Sequence, residues 1–524
     1  MDQAKANQRL KEYQKQPDQE SVRRKREQER IELRKTKRSQ QFASKRRTNA
    51  PASYCEDLPP KLLSALPALA QRTAKAEAKC VLLVEFLREQ ADEELQLLAL
   101  QLLRKGTAAE SRQVSVVTEV IVSAGVGEVL ERLLQDRRTE VVVEALWCLI
   151  NITSEFGICG KFVSQTLVLR ILDLARSANL EIVESCVWIL GNIAGEGVEM
   201  VSFLQPFGAL QQLLTIGRQF REFPVNIQSL LVWALGNYYR FDTSPSKSLL
   251  FETVLLLKDI SRPNQEPILI ETSWTLHHIS VKKQGTEAIV QAGFLPHLVS
   301  LLGHSNVQIV HAALRTLGNV VSEEQGDEVE IMVSAGFLQE MEKLTGVAFR
   351  PLHRELLWIL SNLAMPPSDL LPTLLQTRLV DFALQAALIP REDTQLEVSY
   401  FLLGAFTGAV DEDFAWKLYS LGVLEAMRGL LDNCKNGRIV LNVLAALDGL
   451  MQLGRDRAKS DINPVAAYWE ELGGVTQLEA LQSFTSIEVY NRAVEVMGKH
   501  YGLLETNENV ELPRIPEGGR FEFS

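Results

Sequence analysis

The sequence has few of the features that mark secreted, membrane or metal-binding proteins. Its cysteines are Cys55, Cys80, Cys148, Cys159, Cys186 and Cys434, which are scattered with no CxxC pair and no metal-ligand spacing. This pattern is typical of buried free thiols in a reducing compartment. No apolar run approaches the roughly 20 residues that a membrane span needs, and the polar start MDQAKANQRL lacks the apolar stretch of a secretory signal peptide. We therefore expect a soluble intracellular protein that does not span a membrane.

Catalytic signatures are also missing. There is no Walker A motif, no G-x-S-x-G and no HExxH. The stretch GNIAGEG is similar to a phosphate loop in composition, but no strand precedes it. The pair His277 and His278 has no other ligand at metal spacing. We expect no enzyme activity, no catalytic residue, no cofactor and no metal.

The charge is distributed very unevenly along the chain. The net charge is -11, but residues 1–50 hold 16 Lys and Arg against 7 Asp and Glu, a net of +9, so the remainder carries -20. A basic arm on an acidic body predicts either self-association of the two or a basic ligand for the body. An acidic body would repel nucleic-acid phosphates, so we expect no nucleic-acid partner for it.

A repeat of about 42 residues runs through the body. Its marker is a pair of residues four positions apart, usually Trp followed by Asn, which we call the Trp/Asn register. The first residues of successive pairs lie 41 to 45 positions apart. The pairs are Trp147/Asn151, Trp188/Asn192, Trp233/Asn237, Trp274/His278, Arg315/Asn319, Trp358/Asn362 and Tyr400/Gly404. Glycine turns open a helix on the same period, at Gly125, Gly208, Gly293, Gly336 and Gly422. Between the markers, apolar residues follow helical spacing. A helical repeat of this length is typical of the armadillo/HEAT class.

We therefore predict an all-α, right-handed armadillo-repeat solenoid of about ten repeats. We place the array at residues 75–503, a linker at 56–74, a basic arm at 1–55 and a tail at 504–524. Residues 21–47 of the arm have only sparse apolar positions, so we expect the arm to be disordered by itself.

The Trp/Asn register also predicts a binding surface. Residues four apart share one face of a helix, so the repeat stacks indoles and amides into two ladders. Amides can pin an extended peptide backbone, and indoles can form slots for Lys or Arg stems with cation–π attraction at the head. Carboxylates precede the aromatic positions at Glu144, Glu184, Glu271, Glu355 and Glu397. Together these residues predict a groove for an extended, lysine-rich peptide; the alternative is a purely structural ladder.

Several segments resemble the importin-α family over about nine-tenths of the chain. ESCVWILGNIAGEG is similar to that family's third repeat, and AALRTLGNVVS is similar to its sixth. NPVAAYWEELGGVTQLEALQSFTSIEVYNRAVEVMGKHYG is similar to its last repeat, and GGRFEFS is similar to its C-terminal ending. The arm segment VRRKREQERIELRKTKRSQQFASKRR resembles the family's importin-β-binding segment. The resemblance implies an adaptor that carries basic nuclear-localisation peptides, links them to importin-β and shuttles between cytoplasm and nucleus. It also implies an exportin with the GTPase Ran at the last repeat.

The resemblance assigns residues to each role. It implies a major cargo site at Trp147, Asn151, Glu144, Trp188, Asn192, Glu196, Trp233 and Asn237, with Glu196 opposite the key cargo lysine and Arg240 between the sites. It implies a minor site at Arg315, Asn319, Glu355, Trp358, Asn362 and Glu397. Importin-β contacts are expected at Arg23, Arg24, Arg26, Arg34, Lys35, Lys37 and Arg38, and a cargo-mimicking, autoinhibitory segment at Lys45, Arg46 and Arg47.

The sequence departs from the family's pattern at three places. INITSE stands where the family has Thr-Asn-Ile-Ala-Ser-Gly, so Glu155 replaces a glycine, and His278 replaces a tyrosine. Tyr400 and Gly404 stand where the family has Trp and Asn, which predicts a weakened minor site. Two alternatives stay open: an armadillo scaffold that keeps the groove for one fixed partner, and a solvated or nucleic-acid-binding role for the arm.

Overall fold

The computed structural model describes residues 60–70, 76–89, 92–108, 113–241, 243–261, 265–323, 327–365, 370–407, 411–432, 434–458 and 462–502. These residues form 29 α-helices and three short 3-10 helices, and none of them is in a β-strand. The chain divides into two compact units, Met1–Ala335 and Gly336–Ser524. The prediction of an all-α helical repeat is confirmed.

The first unit holds eighteen of the described α-helices. They are α1 (Pro60–Ala65), α2 (Ala76–Arg88), α3 (Glu93–Thr107), α4 (Gln113–Ser123), α5 (Val126–Leu133), α6 (Thr139–Thr153), α7 (Cys159–Phe162), α8 (Gln165–Leu174), α9 (Leu180–Ala194), α10 (Val198–Leu204), α11 (Ala209–Gly217), α12 (Val225–Tyr239), α13 (Lys247–Ile260), α14 (Glu266–Ser280), α15 (Gly285–Gln291), α16 (Leu295–Leu301), α17 (Val307–Val321) and α18 (Glu328–Ser334).

The second unit holds the other eleven. They are α19 (Phe337–Leu344), α20 (Arg350–Leu363), α21 (Leu371–Leu374), α22 (Leu379–Ala387), α23 (Glu392–Phe406), α24 (Glu412–Ser420), α25 (Val423–Leu431), α26 (Gly437–Arg457), α27 (Pro464–Glu471), α28 (Gly474–Leu481) and α29 (Ile487–Tyr501).

One long helix per repeat carries the Trp/Asn register or continues its row, and we call these the ladder helices. They are α3, α6, α9, α12, α14 and α17 in the first unit and α20, α23, α26 and α29 in the second. Within each unit, every ladder helix packs against the next. Those of the first unit are all 15 residues long, or about 22 Å at 1.5 Å per residue. A ladder helix inside either unit's row therefore has a ladder neighbour on both sides, which explains why apolar residues cover most of its surface.

Local sequence signals set where these helices begin. Asn179, Asn306 and Asn436 precede α9, α17 and α26, and each side chain accepts a hydrogen bond of 2.9 Å from the backbone N–H two residues later. This contact satisfies one of the free N–H groups at a helix start. The predicted glycine turns all have positive φ, at Gly125 (79°), Gly208 (70°), Gly293 (64°), Gly336 (93°) and Gly422 (88°). Side chains other than glycine rarely adopt this backbone conformation, so the glycine prediction is confirmed.

The last ladder helix is held to the one before it by a charge cluster. The Asp448 carboxylate on α26 accepts hydrogen bonds from His500 Nε2 at 2.7 Å, Lys499 Nζ at 2.8 Å and Arg492 at 2.9 Å, all on α29. These contacts, led by the His500 hydrogen bond, hold the pKa of Asp448 well below its usual range. The cluster stabilises the end of the array.

Several predictions concern residues near or beyond the described ranges. The helix α1 and a 3-10 turn at Pro67–Ala70 lie inside residues 56–74, which we assigned to a linker; the proposed domain boundaries stay predictions. Cys80, Cys148, Cys159 and Cys186 are buried and Cys434 is partly exposed, whereas Cys55 lies outside the described residues. Within those residues, no helix is long and apolar enough to cross a membrane.

Candidate functional site

Four indoles lie on consecutive ladder helices of the first unit. Trp147, Trp188, Trp233 and Trp274 are on α6, α9, α12 and α14. The rings of Trp147 and Trp188 meet edge to face, with centroids 6.1 Å apart and planes at 65°. Trp188 is only 9% exposed, while the other three are partly exposed. The three indoles predicted for the major site therefore lie on adjacent, packed helices, and part of that aromatic surface is open to a lysine stem.

Gly191 makes room for the indole of the following helix. A Cβ built on Gly191 would lie 2.4 Å from Cζ3 of Trp233, and one built on Gly236 would lie 2.6 Å from the Thr275 hydroxyl. Both distances are shorter than real Cβ contacts allow. At these two positions, the Gly before Asn in the motif Leu-Gly-Asn is therefore required by the close packing of successive ladder helices, a role that we did not assign from the sequence.

The ladder asparagines reach back to the preceding ladder helix. Asn151 donates from Nδ2 to the carbonyl oxygen of Arg104 at 3.2 Å and to the Thr107 hydroxyl at 3.1 Å. Its side chain is buried, and its Oδ1 is enclosed without a hydrogen-bond partner in the described part of the chain. In this conformation Asn151 joins α6 to α3 and offers little surface to a peptide.

The same backward contact recurs along the unit. Asn192 donates to the carbonyl oxygen of Ile150 at 3.3 Å and to the Thr153 hydroxyl at 3.1 Å. Asn237 donates to the carbonyl oxygen of Gly191 at 2.8 Å. These amides therefore join successive repeats as well as lying on the predicted binding face. From the sequence, these asparagines had two possible roles: binding a peptide backbone or joining the repeats. Asn192 can have both roles, because it joins two helices and is still partly exposed.

Glu196 follows the end of α9 and faces the start of α7. Its carboxylate accepts hydrogen bonds from the backbone N–H of Cys159 at 3.0 Å and of Gly160 at 3.5 Å. The side chain is partly exposed, and a carboxylate accepts about four hydrogen bonds. Glu196 therefore keeps capacity to accept further hydrogen bonds, and its predicted role opposite a cargo lysine stays a prediction.

The other carboxylates of the first unit differ in their contacts. Glu144 forms an ion pair of 2.5 Å with Arg104, in which the Glu144 side chain is 16% exposed. Glu184 accepts from Asn226 Nδ2 at 3.2 Å, and Glu271 is partly exposed. A cargo lysine near Glu144 would therefore share that carboxylate with Arg104.

Histidines surround the indole of the fifth ladder helix. The Trp274 ring meets His277 edge to face at 5.8 Å and His311 at 5.9 Å, and His277 lies 5.5 Å from His278. Within the described residues, no group of three His, Cys, Asp or Glu side chains is arranged to hold a metal ion.

Three more residues that we predicted to contact cargo lie in the first unit: two arginines and one asparagine. Arg240 lies over the Phe241 ring at 5.3 Å, and Arg315 is buried on α17. Asn319 donates to the Ser280 hydroxyl at 2.7 Å, so it repeats the backward contact of Asn192.

The second unit carries Glu355, Trp358 and Asn362 on α20 and Glu397 on α23, two helices that pack together. Trp358 is 8% exposed. Among the described residues, its Nε1 and both polar atoms of the Asn362 amide have no hydrogen-bond partner. Burial raises the pKa of Glu397 to about 8, the positive charge of Arg354 opposes that shift, and Glu355 adds to it.

Gly404 lies against the backbone that follows α20. A Cβ built there would lie 3.0 Å from the carbonyl oxygen of Ala364 and 3.1 Å from its carbonyl carbon. A side chain at this position would therefore require the neighbouring backbone to move by a few tenths of an ångström. Glycine at position 404 thus suits the packing of α23 against the end of α20.

The predicted arm residues all lie outside the described residues. These are the importin-β contacts at Arg23, Arg24, Arg26, Arg34, Lys35, Lys37 and Arg38 and the autoinhibitory segment at Lys45, Arg46 and Arg47. Their roles stay predictions.

Comparisons with known proteins match both parts of the chain. A model of the importin beta binding domain matches residues 9–101, and a model of the armadillo/beta-catenin-like repeat matches residues 282–322. Importin subunit alpha-1a of Oryza sativa subsp. japonica is 26% identical over 97% of this chain and 94% of its own. Importin subunit alpha-3 of Arabidopsis thaliana is 25% identical over 99% of this chain and 96% of its own.

One solved structure supports the fold alone. The crystal structure of an engineered protein superposes with a TM-score of 0.70 at 21% identity, covering 81% of this chain and 99% of that one. With the repeat match, it confirms the predicted armadillo-repeat class.

Proposed function

The chain belongs to the importin-α family, and on that premise we propose that it is a nuclear import adaptor. The observation that carries the proposal is that one chain combines an importin-β-binding segment at residues 9–101 with an armadillo array bearing a row of indoles. The arm binds importin-β, the array binds a lysine- or arginine-rich nuclear localisation signal, and no chemical reaction is required.

The geometry of the first unit supports the cargo half of this function. An extended peptide lying across α6, α9 and α12 would meet the indoles of Trp147, Trp188 and Trp233 in turn. Lysine stems would pack against the rings while Glu196 receives an ammonium group. The body's net charge of -20 favours such a basic ligand.

Competition by the arm is the next element of the proposal. Residues 45–47 read Lys-Arg-Arg, the chemistry that the groove takes. A tether raises their local concentration to the order of millimolar. The arm therefore occupies the groove when importin-β is absent and leaves it when importin-β binds. Release of cargo is coupled in this way to the loss of the import receptor.

Charge reversal tests the importin-β half. Arg34→Glu with Lys35→Glu should abolish the complex with importin-β in gel filtration at physiological salt, because the arm binds through its positive charges. A matched control is Arg218→Glu with Arg378→Glu, two exposed arginines of the array, which should leave the complex intact. A nanomolar complex with the arm variant would contradict the proposal.

A second experiment tests the groove. Trp188→Ala with Asn192→Ala should weaken binding of a monopartite signal peptide about 10- to 30-fold, since about 1 kcal/mol of hydrogen bonding and about 0.5–1 kcal/mol of cation–π attraction are lost. Trp358→Ala with Asn362→Ala should change that affinity little. If calorimetry found two sites of equal affinity, the assignment of the major site would be wrong. If no signal peptide bound, the scaffold alternative would replace the adaptor.

The recycling step belongs to the same proposal. We infer that an exportin with the GTPase Ran engages the last repeat, which ends in α29, and returns the adaptor to the cytoplasm. Shuttling between the two compartments follows from that cycle. The test is a pull-down of the exportin with and without Ran loaded with GTP, which should recover the chain only in the loaded state.

A further inference from the structure

Three aromatic side chains form a cluster on the surface of the last two repeats. Trp416 and Tyr419 on α24 meet edge to face with ring centroids 5.4 Å apart, and Tyr468 on α27 meets Tyr419 in the same way at 6.3 Å. All three side chains are partly exposed. We call these three residues the aromatic cluster. Exposed apolar surface of this kind marks an interaction site, and extended segments that contain proline dock on aromatic surfaces.

Charged groups of both signs lie beside the aromatic cluster. The Tyr468 hydroxyl donates a hydrogen bond of 2.5 Å to the carboxylate of Glu425 on α25, and Arg457 lies over the Trp416 ring at 4.8 Å. The pKa of the Tyr468 hydroxyl is raised, chiefly by the Glu425 hydrogen bond and also by the negative charge of Glu471. Both carboxylates are on exposed side chains. The surface therefore offers rings for apolar contact and carboxylates for a cation next to the same rings.

The chain leaves the described array close to this cluster. The hydroxyl of Tyr501, the last residue of α29, donates to the carbonyl oxygen of Ala466 at 2.8 Å, and Ala466 precedes Tyr468 by two residues in α27. Gly502 follows with a φ of 68°, a left-handed conformation that ends the helix and turns the chain. Residues 503–524 lie outside the described residues. Ten extended residues span up to about 33 Å, so the tail is long enough to reach the aromatic cluster.

The tail contains a segment with the chemistry that this surface suits. Residues 513–516 read Pro-Arg-Ile-Pro. Proline fixes its own φ near about −65° and favours an extended conformation in the residue before it, so the segment favours polyproline II. That helix has about three residues per turn, which places Pro513 and Pro516 on one edge and Arg514 on the next. Such a segment loses little conformational entropy when it docks on aromatic rings.

We propose that the tail covers the aromatic cluster of its own chain. The prolines of residues 513–516 pack against the tyrosine rings, and the Arg514 guanidinium pairs with the carboxylates of Glu425 and Glu471. A tether raises the local concentration to about 1 mM, so a segment that binds in trans with a Kd of about 0.1 mM would fill the cluster in about nine molecules of ten. The contact uses neither the cargo groove nor the importin-β-binding arm, so it goes beyond the adaptor function.

A peptide competition tests the contact on the full chain. The probe is a fluorescent peptide of residues 509–519, and the chain with Pro513→Ala, Arg514→Ala and Pro516→Ala provides an open cluster. We expect the peptide to bind this open variant and to bind the unmutated chain about tenfold more weakly, because the tethered segment competes. Equal binding to the two chains would mean that the tail leaves the cluster open. No binding to either chain would mean that the cluster does not take this segment.

Variants of the array locate the binding surface in the open variant. Tyr468→Ala should weaken peptide binding at least tenfold, whereas Tyr490→Ala, an exposed tyrosine of α29, should change it little. Glu471→Lys exchanges an exposed carboxylate for a cation without removing packing, and it should weaken binding about threefold or more at low salt. Its matched control is Glu488→Lys on α29, which is also exposed. If the cluster variants bound the peptide as well as their controls, the proposal would be wrong.

Crosslinking identifies what covers the cluster in the intact protein. A benzophenone amino acid placed at position 515 should, on irradiation, join the tail to α24 or α27 within the monomer band. Crosslinks in a dimer band would assign the cluster to the tail of a second copy and overturn the contact within one chain. Crosslinks to other helices alone would overturn it as well. None of these measurements uses cargo or importin-β, so their failure would leave the adaptor function standing.

Discussion

Replacing Gly191 with alanine tests whether the indole row depends on a close helix approach. The new Cβ would lie 2.4 Å from Trp233 Cζ3 and 3.0 Å from both Trp233 Cε3 and the Ala234 Cβ. Carbon atoms pack best at about 3.5–4.0 Å, so the ring must move by about 1 Å or the two helices must separate. Either shift disturbs Trp233, which is a wall of the proposed lysine slot.

Two effects of opposite sign set the magnitude. Alanine favours a helix over glycine by about 1 kcal/mol. Overpacking in a tight core costs about 1–3 kcal/mol, and Trp233 is a rigid ring that cannot fold away from the contact. We expect a net loss of stability of up to about 2 kcal/mol and, because the slot is displaced, a fall in monopartite peptide affinity of about tenfold, or 1.4 kcal/mol.

Gly160→Ala is the matched control. Gly160 is also helical, in α7, but a Cβ built there meets nothing within 4 Å, and the N–H that it gives to Glu196 is retained. Urea denaturation and fluorescence titration of both variants would separate helix propensity from crowding. If Gly191→Ala were as stable as Gly160→Ala and bound peptide equally well, the crowding argument would be refuted.

Three further predictions concern the arm, the buried Glu397 and the last repeat. Changing residues 45–47 to alanine should raise the affinity of the full chain for a fluorescent signal peptide at least tenfold, or about 1.4 kcal/mol, as measured by fluorescence polarisation; equal affinities would mean that the arm does not enter the groove. Glu397→Gln should raise the thermal midpoint at pH 8 but not at pH 4.5, because the pKa of Glu397 is about 8 in the folded chain against 4.5 for an ordinary Glu, so the wild type loses stability as pH rises through that window. Asp448→Asn should lower the free energy of unfolding by about 3 kcal/mol, since three basic side chains of α29 lose their carboxylate; unchanged protection of α29 in hydrogen exchange would contradict this.

The sequence by itself determined the repeat and the elements that compose it. A Trp/Asn register every 42 residues, helical apolar spacing and glycine turns are local signals, because each depends on the preferences of a few neighbouring residues. The positive φ values at Gly125 and Gly422 and the Asn caps before α9 and α17 follow from those preferences. The positive charge of the arm and its ELRKTKR segment were likewise read from the sequence, because neither depends on tertiary structure.

Only the tertiary structure decided what the ladder residues contact. Asn192 bonds to Thr153, Gly191 faces Trp233, and Glu397 is buried beside Glu355, although in each pair the partners lie about 40 residues apart in the chain. Periodicity places such residues on a shared face but does not set the distance between neighbouring helices. That distance depends on side-chain packing over the whole repeat. It determines whether an amide stays open, whether a Cβ fits at Gly404 and whether a carboxylate keeps its charge.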